Sequence, residues 1–178
     1  VSFDGFRFEA ILESLFWVAL LSILAGNILA LMQDKIKRVL AYSSIAHIGY
    51  LLVGFLAASA VGGRQLAIEA SMFFLIAYFV TTIGAFGVVT IMSGSKQSDH
   101  DTDNLSQYEG LFWRRPLLAS FFSAMLLSLA GIPLTVGFIG KFYIFAAGVQ
   151  SGLWQLLAVV VVGSGIGLYY YLRIIFSM

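Results

Sequence analysis

The chain has 178 residues, of which 60% are hydrophobic and 11% charged, with a formal net charge of +1 and no cysteine. So few charges cannot cover so much apolar surface in water, which makes this an integral membrane protein. The near-neutral balance gives no footing for nucleic acid or an acidic partner, and the absent thiols exclude disulfides, iron–sulfur ligation and thiol catalysis.

A bilayer core about 30 Å thick takes roughly 20 apolar residues in a helix. Five stretches reach that length: about Leu15–Met32, Val39–Val61, Ile68–Met92, Leu117–Gly148 and Leu153–Phe176. Backbone groups in lipid must pair within their own segment, and the short alternating segments of a β-barrel are missing. The stretches therefore predict an all-α polytopic bundle forming one domain over residues 1–178. The chain opens on Val1 and ends at Met178 directly after an apolar run, which predicts a fragment of a longer protein.

Asp34-Lys35-Ile36-Lys37-Arg38 follows the first stretch and reads as a topogenic loop. With alternating crossings, one side of the membrane receives Lys35, Lys37, Arg38, Lys96, Arg114, Arg115 and Arg173, and the other only Arg7 and Arg64. Basic residues gather on the cytoplasmic side. The Lys35 and Arg114 loops are thus expected in the cytoplasm, with Arg7 and Arg64 on the outer face.

In the second stretch Ser43, His47, Tyr50 and Gly54 are spaced i, i+4, i+7 and i+11, which puts them on one helix face. Histidine titrates closest to neutral pH and suits a proton relay, while a hydrogen-bonded core histidine is the plainer reading. The third stretch continues with Ser71, Tyr78 and Thr81, read chiefly as hydroxyl glue between helices. Gly84 and Gly87, like Gly163, Gly165 and Gly167, are expected to allow close helix contact.

The connection Ser93–Arg115 is polar and acidic, carrying Asp99, His100, Asp101, Asp103 and Glu109. It reads as a solvated connector, and one histidine among aspartates is a weak metal signal. Trp113, Tyr169, Tyr170 and Tyr171 read as aromatics of the membrane interface.

The fourth stretch is too long for one span, at 32 positions or roughly 48 Å of helix. Within it lie Gly131-Ile132-Pro133 and, eight residues past the proline, Lys141. Proline lacks an amide hydrogen and frees carbonyls near Leu129 and Ala130, which lipid cannot satisfy. A simple kink would suffice for the proline alone. A lysine in hydrocarbon, however, costs about 2.5–3.5 kcal/mol on insertion scales. Unless it snorkels to the interface, Lys141 is expected in a hydrated pocket between helices, where it loads and releases a proton. Such broken helices mark ion sites in transporters. The glycine run Gly163–Gly167 follows no soluble strand and is not a nucleotide loop.

Two long motifs, "DKIKRVLAYSSIAHIGYLL" (Asp34–Leu52) and "LSLAGIPLTVGFIGKFYIF" (Leu127–Phe145), carry a resemblance. With "YEGLFWRRP" (Tyr108–Pro116) and "GSGIGLYYYLR" (Gly163–Arg173), the chain resembles, over essentially its whole length, the antiporter-like membrane subunits of proton-pumping NADH–quinone oxidoreductase, respiratory complex I. Lysine at 141, where one member is known for a glutamate, singles out one branch. The resemblance implies a proton channel of two inverted bundles, each with a broken helix, this chain holding most of the second. It places Lys141 on the outlet side and links it through water to His47. Together with the polar faces read above, the proton path is expected along Lys141, His47, Ser43, Tyr50 and Tyr78, with the helix break at Gly131 and Pro133. It further implies a bacterial inner-membrane location and the other membrane subunits of complex I, the lipid bilayer and protons as partners. No cofactor is expected in this chain; FMN and iron–sulfur clusters are expected in other subunits. A sodium/proton antiporter subunit shares this fold, and a non-conducting membrane spacer is the remaining alternative. His47 in "SSIAHIGY" and the "GFIGKF" context favour the oxidoreductase.

Overall fold

The structure, a computed structural model, describes residues 3–60, 64–94 and 104–178, with side chains from Phe8 onward. The Arg7 side chain and Lys96, Asp99, His100, Asp101 and Asp103 lie outside the described set. The described residues form helices α1 (Phe3–Leu31), α2 (Ile36–Ser59), α3 (Arg64–Gly94), α4 (Leu111–Arg114), α5 (Pro116–Ala130), α6 (Val136–Gln150) and α7 (Trp154–Ser177). A 3₁₀ turn, Leu105–Tyr108, precedes α4.

α1, α2, α3 and α7 are each long and apolar enough to cross a membrane. α5 and α6 have 15 residues each, or roughly 22 Å, too short for a bilayer core of about 30 Å. They follow one another where a fifth long helix would run. α2 is the most enclosed of the long helices and packs against α1, α3, α6 and α7. Its partnership with α1 is close because glycines remove side chains from the contact. A Cβ at Gly26 would stand 2.6 Å from the Ala46 backbone nitrogen, and one at Gly49 would stand 2.6 Å from the Ile23 side chain. Outward, α3 shows Met72, Ile76, Phe79 and Ile83, a stripe at helical spacing that suits lipid.

One end of the bundle gathers the basic loops. There Leu105 N donates to Asp34 O at 3.0 Å, Phe112 N donates to Met178 O at 3.3 Å, and Arg173 pairs with Asp34. Inward of this end lies a buried apolar layer that includes Ala30, Ile36, Leu40, Ile174 and Met178. A second layer, including Ala19, Ile23, Val53, Leu156 and Val160, fills the other half. Between them α1, α2, α3, α6 and α7 contribute polar residues: Asn27, Ser43, His47, Tyr78, Lys141 and the Tyr170–Tyr171 pair.

Two glycines do not act as expected. Gly84 abuts Met125 and Gly163 abuts Ile23, but a Cβ at Gly87 or Gly165 would meet nothing within 4 Å. Both turn away from their neighbours, because the contact face of each helix falls on the other glycines. The hydroxyls of Ser71 and Thr81 donate within α3, to Ala67 O and Ala77 O one turn back, at 2.7 Å each, and Ser71 meets α2 through packing on Gly54. In a helix the carbonyl four residues earlier is the nearest acceptor.

Candidate functional site

The site begins with how α5 stops. Gly131 adopts φ +81°, a left-handed conformation that glycine alone takes without cost. Ile132 N then reaches Leu127 O at 3.2 Å and Gly131 N reaches Ser128 O at 3.1 Å, the paired bonds of a Schellman ending. Pro133 stands two residues beyond, where it prevents the helix from resuming. Thr135 restarts the chain: its side chain accepts from Phe138 N at 3.3 Å as the N-cap of α6. The break thus rests on Gly131 and Thr135 as much as on Pro133.

A helix C-terminus leaves carbonyls without intrahelical partners. The Lys141 ammonium donates to two of them, Leu129 O at 3.0 Å and Ala130 O at 3.1 Å. The carbonyls that lipid cannot satisfy are thus taken by the lysine itself, because α6 folds back beside the end of α5. Gly137 permits that approach, since a Cβ there would lie 1.8 Å from Ser128 O. Lys141 is 9% exposed and its amine is turned to the break, so it does not snorkel. The C-terminal end of the α5 dipole favours a cation at this spot. The Nζ also lies 5.2 Å from the centre of the Tyr50 ring, within cation–π range.

Tyr50 leads to His47. Their ring centres are 5.6 Å apart and edge-on, while Tyr78 stacks on the imidazole at 5.0 Å and Phe74 lies at 5.8 Å. The Tyr171 hydroxyl is 3.5 Å from His47 Nε2, and His47 Nδ1 is buried with no hydrogen-bond partner among the described residues. Ser43, Tyr50 and His47 are all buried. Ser43 donates to Leu40 O at 2.8 Å. Gly54, the last of the expected face, packs on Ser71 rather than joining the polar group.

The structure corrects one reading and adds three residues. Tyr170 and Tyr171 are not interface aromatics: they are 3% and 1% exposed and face α1 and α2, whereas Tyr169 and Trp113 are exposed. Consecutive residues of a helix point about 100° apart, so a tyrosine triplet cannot share one environment. Asn27, absent from the expected set, is 1% exposed and accepts from the Tyr170 hydroxyl at 3.2 Å while donating to the Tyr50 hydroxyl at 3.2 Å. A carboxamide in the middle of an apolar stretch is the signal that marks it. Among the described residues no cluster of His, Asp and Glu side chains is suited to a metal ion.

A surface groove of about 400 Å³ lies between α3, α5 and the break, lined by Phe73, Val80, Met125 and Leu134 among others. It does not include Lys141 or His47.

The sequence pattern of the family described as "NADH:quinone oxidoreductase/Mrp antiporter, TM" matches residues 3–167. The chain is 56% identical over 172 residues to NADH-quinone oxidoreductase subunit N of Methylococcus capsulatus, covering 97% of this chain and 34% of that protein. It therefore spans about a third of the length of this curated relative. Its fold matches a chain of respiratory complex I from Thermus thermophilus with bound aureothin, with a TM-score of 0.77 and 35% identity over 96% of this chain and 38% of that one. It also matches a chain of the Mrp complex from Dietzia sp., with a TM-score of 0.80 and 27% identity over 94% of this chain and 30% of that one.

Proposed function

The chain belongs to the NADH:quinone oxidoreductase/Mrp antiporter transmembrane family, and we propose that it forms part of a proton-translocating subunit of respiratory NADH–quinone oxidoreductase. Quinone reduction elsewhere in the complex drives protons through the buried Lys141–His47 path. FMN and iron–sulfur clusters sit in other subunits, and neighbouring membrane subunits and the lipid bilayer surround this one.

The observation that carries this reading is a buried lysine whose amine caps a broken helix and lies over the ring of Tyr50, next to His47. Each part has a task. Lys141 holds a proton as ammonium against the α5 carbonyls and releases it as amine. His47, with an imidazole nitrogen on each side of its ring, takes a proton at one atom and yields one at the other. Tyr50 steadies the cation, Tyr78 fixes the imidazole plane, the Tyr171 hydroxyl stands beside Nε2, and Ser43 lies one turn before His47 on the same buried face. Apolar layers close the polar belt toward both ends of the bundle, so protons pass across the belt and not straight along one helix.

The basic residues gathered at one end (Lys35, Arg114, Arg173) put that end in the cytoplasm of a bacterial inner membrane. Arg64, at the opposite end, faces the periplasm. The oxidoreductase reading is preferred to a sodium/proton antiporter subunit because the chain is 56% identical to a subunit N and, among solved structures, 35% identical to a complex I chain against 27% to the Mrp chain. The Lys141→Ala variant of the full-length protein tests it: an assembled complex that no longer pumps is expected. Normal pumping would leave the chain a structural spacer.

A further inference from the structure

The geometry points to Asn27 as a positioning residue that holds the Lys141 side and the His47 side of the path in one frame. The inference rests on the proton-path reading above.

Asn27 belongs to α1, which carries no other part of the path. Its carboxamide is used at both ends. The Nδ2 group donates to Ile23 O at 2.7 Å and to the Tyr50 hydroxyl at 3.2 Å, and Oδ1 accepts from the Tyr170 hydroxyl at 3.2 Å. Tyr50 is the ring beneath the Lys141 ammonium. The Tyr170 ring lies 4.5 Å from that of Tyr171, whose hydroxyl faces His47 Nε2. One amide therefore connects, from behind, the tyrosine that faces the lysine and the tyrosine pair that faces the histidine.

A second observation is independent of these bonds. α7 leaves room for the junction at Gly163, where a Cβ would stand 2.9 Å from Asn27 Nδ2 and 2.9 Å from the Tyr50 hydroxyl. No larger residue fits without pushing the two apart. Asn27 also faces an apolar alternative: its neighbours one turn away along α1, Ile23 and Ala30, are fully buried hydrocarbons. A buried carboxamide among them is costly unless every polar atom is paired, and here it is paired to the residues flanking the path.

The role is one of position. Asn27 does not touch Lys141 or His47, and it has no proton to give at the energies of the path. It fixes the angle at which the Tyr50 ring meets the ammonium and the distance at which the tyrosine pair meets the imidazole.

The test uses the full-length protein in its assembled complex, with assembly read on native gels and protons pumped per quinone reduced read in reconstituted vesicles. Asn27→Leu removes the two tyrosine bonds and the bond to Ile23 O at similar volume, and Tyr170→Phe removes only the hydroxyl whose bond Oδ1 accepts. Each is expected to assemble and to lower the proton yield about fivefold, the scale of one lost hydrogen bond. Neither adds to the loss seen in Lys141→Met, because coupled residues are non-additive. If Asn27→Leu does not assemble, Tyr170→Phe decides alone. A normal proton yield in Tyr170→Phe, or a loss that adds fully to that of Lys141→Met, overturns the assignment. Lys141→Met in the same assay separates the two claims: if it pumps normally, the proton-path reading fails; if it does not while Tyr170→Phe does, only the role of Asn27 fails.

Discussion

Gly131 and Lys141 are in contact across the helix break: a Cβ on Gly131 would stand 3.0 Å from Lys141 Cδ and 3.2 Å from its Nζ. The glycine ends α5 in a left-handed turn, and its bare α-carbon leaves the space the lysine occupies. Chain conformation and charge placement therefore depend on the same residue.

Gly131→Ala should be harmful on both counts. A left-handed residue with a Cβ costs about 1–2 kcal/mol, and the methyl group displaces the amine from Leu129 O and Ala130 O. A lowered thermal midpoint for the purified complex together with reduced pumping is expected. Unchanged stability would mean that the break does not need the left-handed turn.

Gly137→Ala should be worse. Its methyl group would lie 1.8 Å from Ser128 O, a backbone atom that cannot swing aside. The cost exceeds the roughly 1–3 kcal/mol of ordinary overpacking, so the complex should fail to assemble. Gly165→Ala, with nothing within 4 Å, should assemble normally and serves as the control.

His47→Ala should assemble and pump poorly. The imidazole stacks on Tyr78 and faces Tyr171, and truncation removes the nitrogen pair that a relay requires. Loss of the assembled complex would instead mark His47 as a packing residue.

The general architecture was legible because apolar length and the cost of unpaired backbone in lipid leave little choice. The break was legible from Pro133 and from a stretch too long for one span. Its construction was not, since whether Gly131 turns left-handed depends on α6 packing back on α5. The face of Ser43, His47 and Tyr50 followed from helical spacing. Tyr170 and Tyr171 were misread because a tyrosine triplet near a helix end fits an interface belt equally well, and only the packing of α7 against α1 and α2 separates them. Asn27 was missed because α1 shows no polar periodicity; a single carboxamide acquires meaning only through its partners on other helices. Gly87 and Gly165 show the same limit from the other side, as small residues that face no neighbour.

Asp34→Asn should change little. The Arg173–Asp34 pair is 41% and 78% exposed, and solvent-exposed pairs contribute about 0–1 kcal/mol. Thermal unfolding of the purified complex should shift by no more than that scale allows. A large shift would show that the pair is covered in the assembly and holds the ends of α1 and α7 together.

The most direct measurement is proton pumping by Lys141→Arg in the full-length protein of an assembled, reconstituted complex. Arginine keeps a cation against Leu129 O and Ala130 O, but it does not deprotonate in proteins. If Lys141 works by releasing its proton, the variant assembles and pumping is lost. Pumping at the normal rate would contradict the account, because a fixed charge at the break would then suffice.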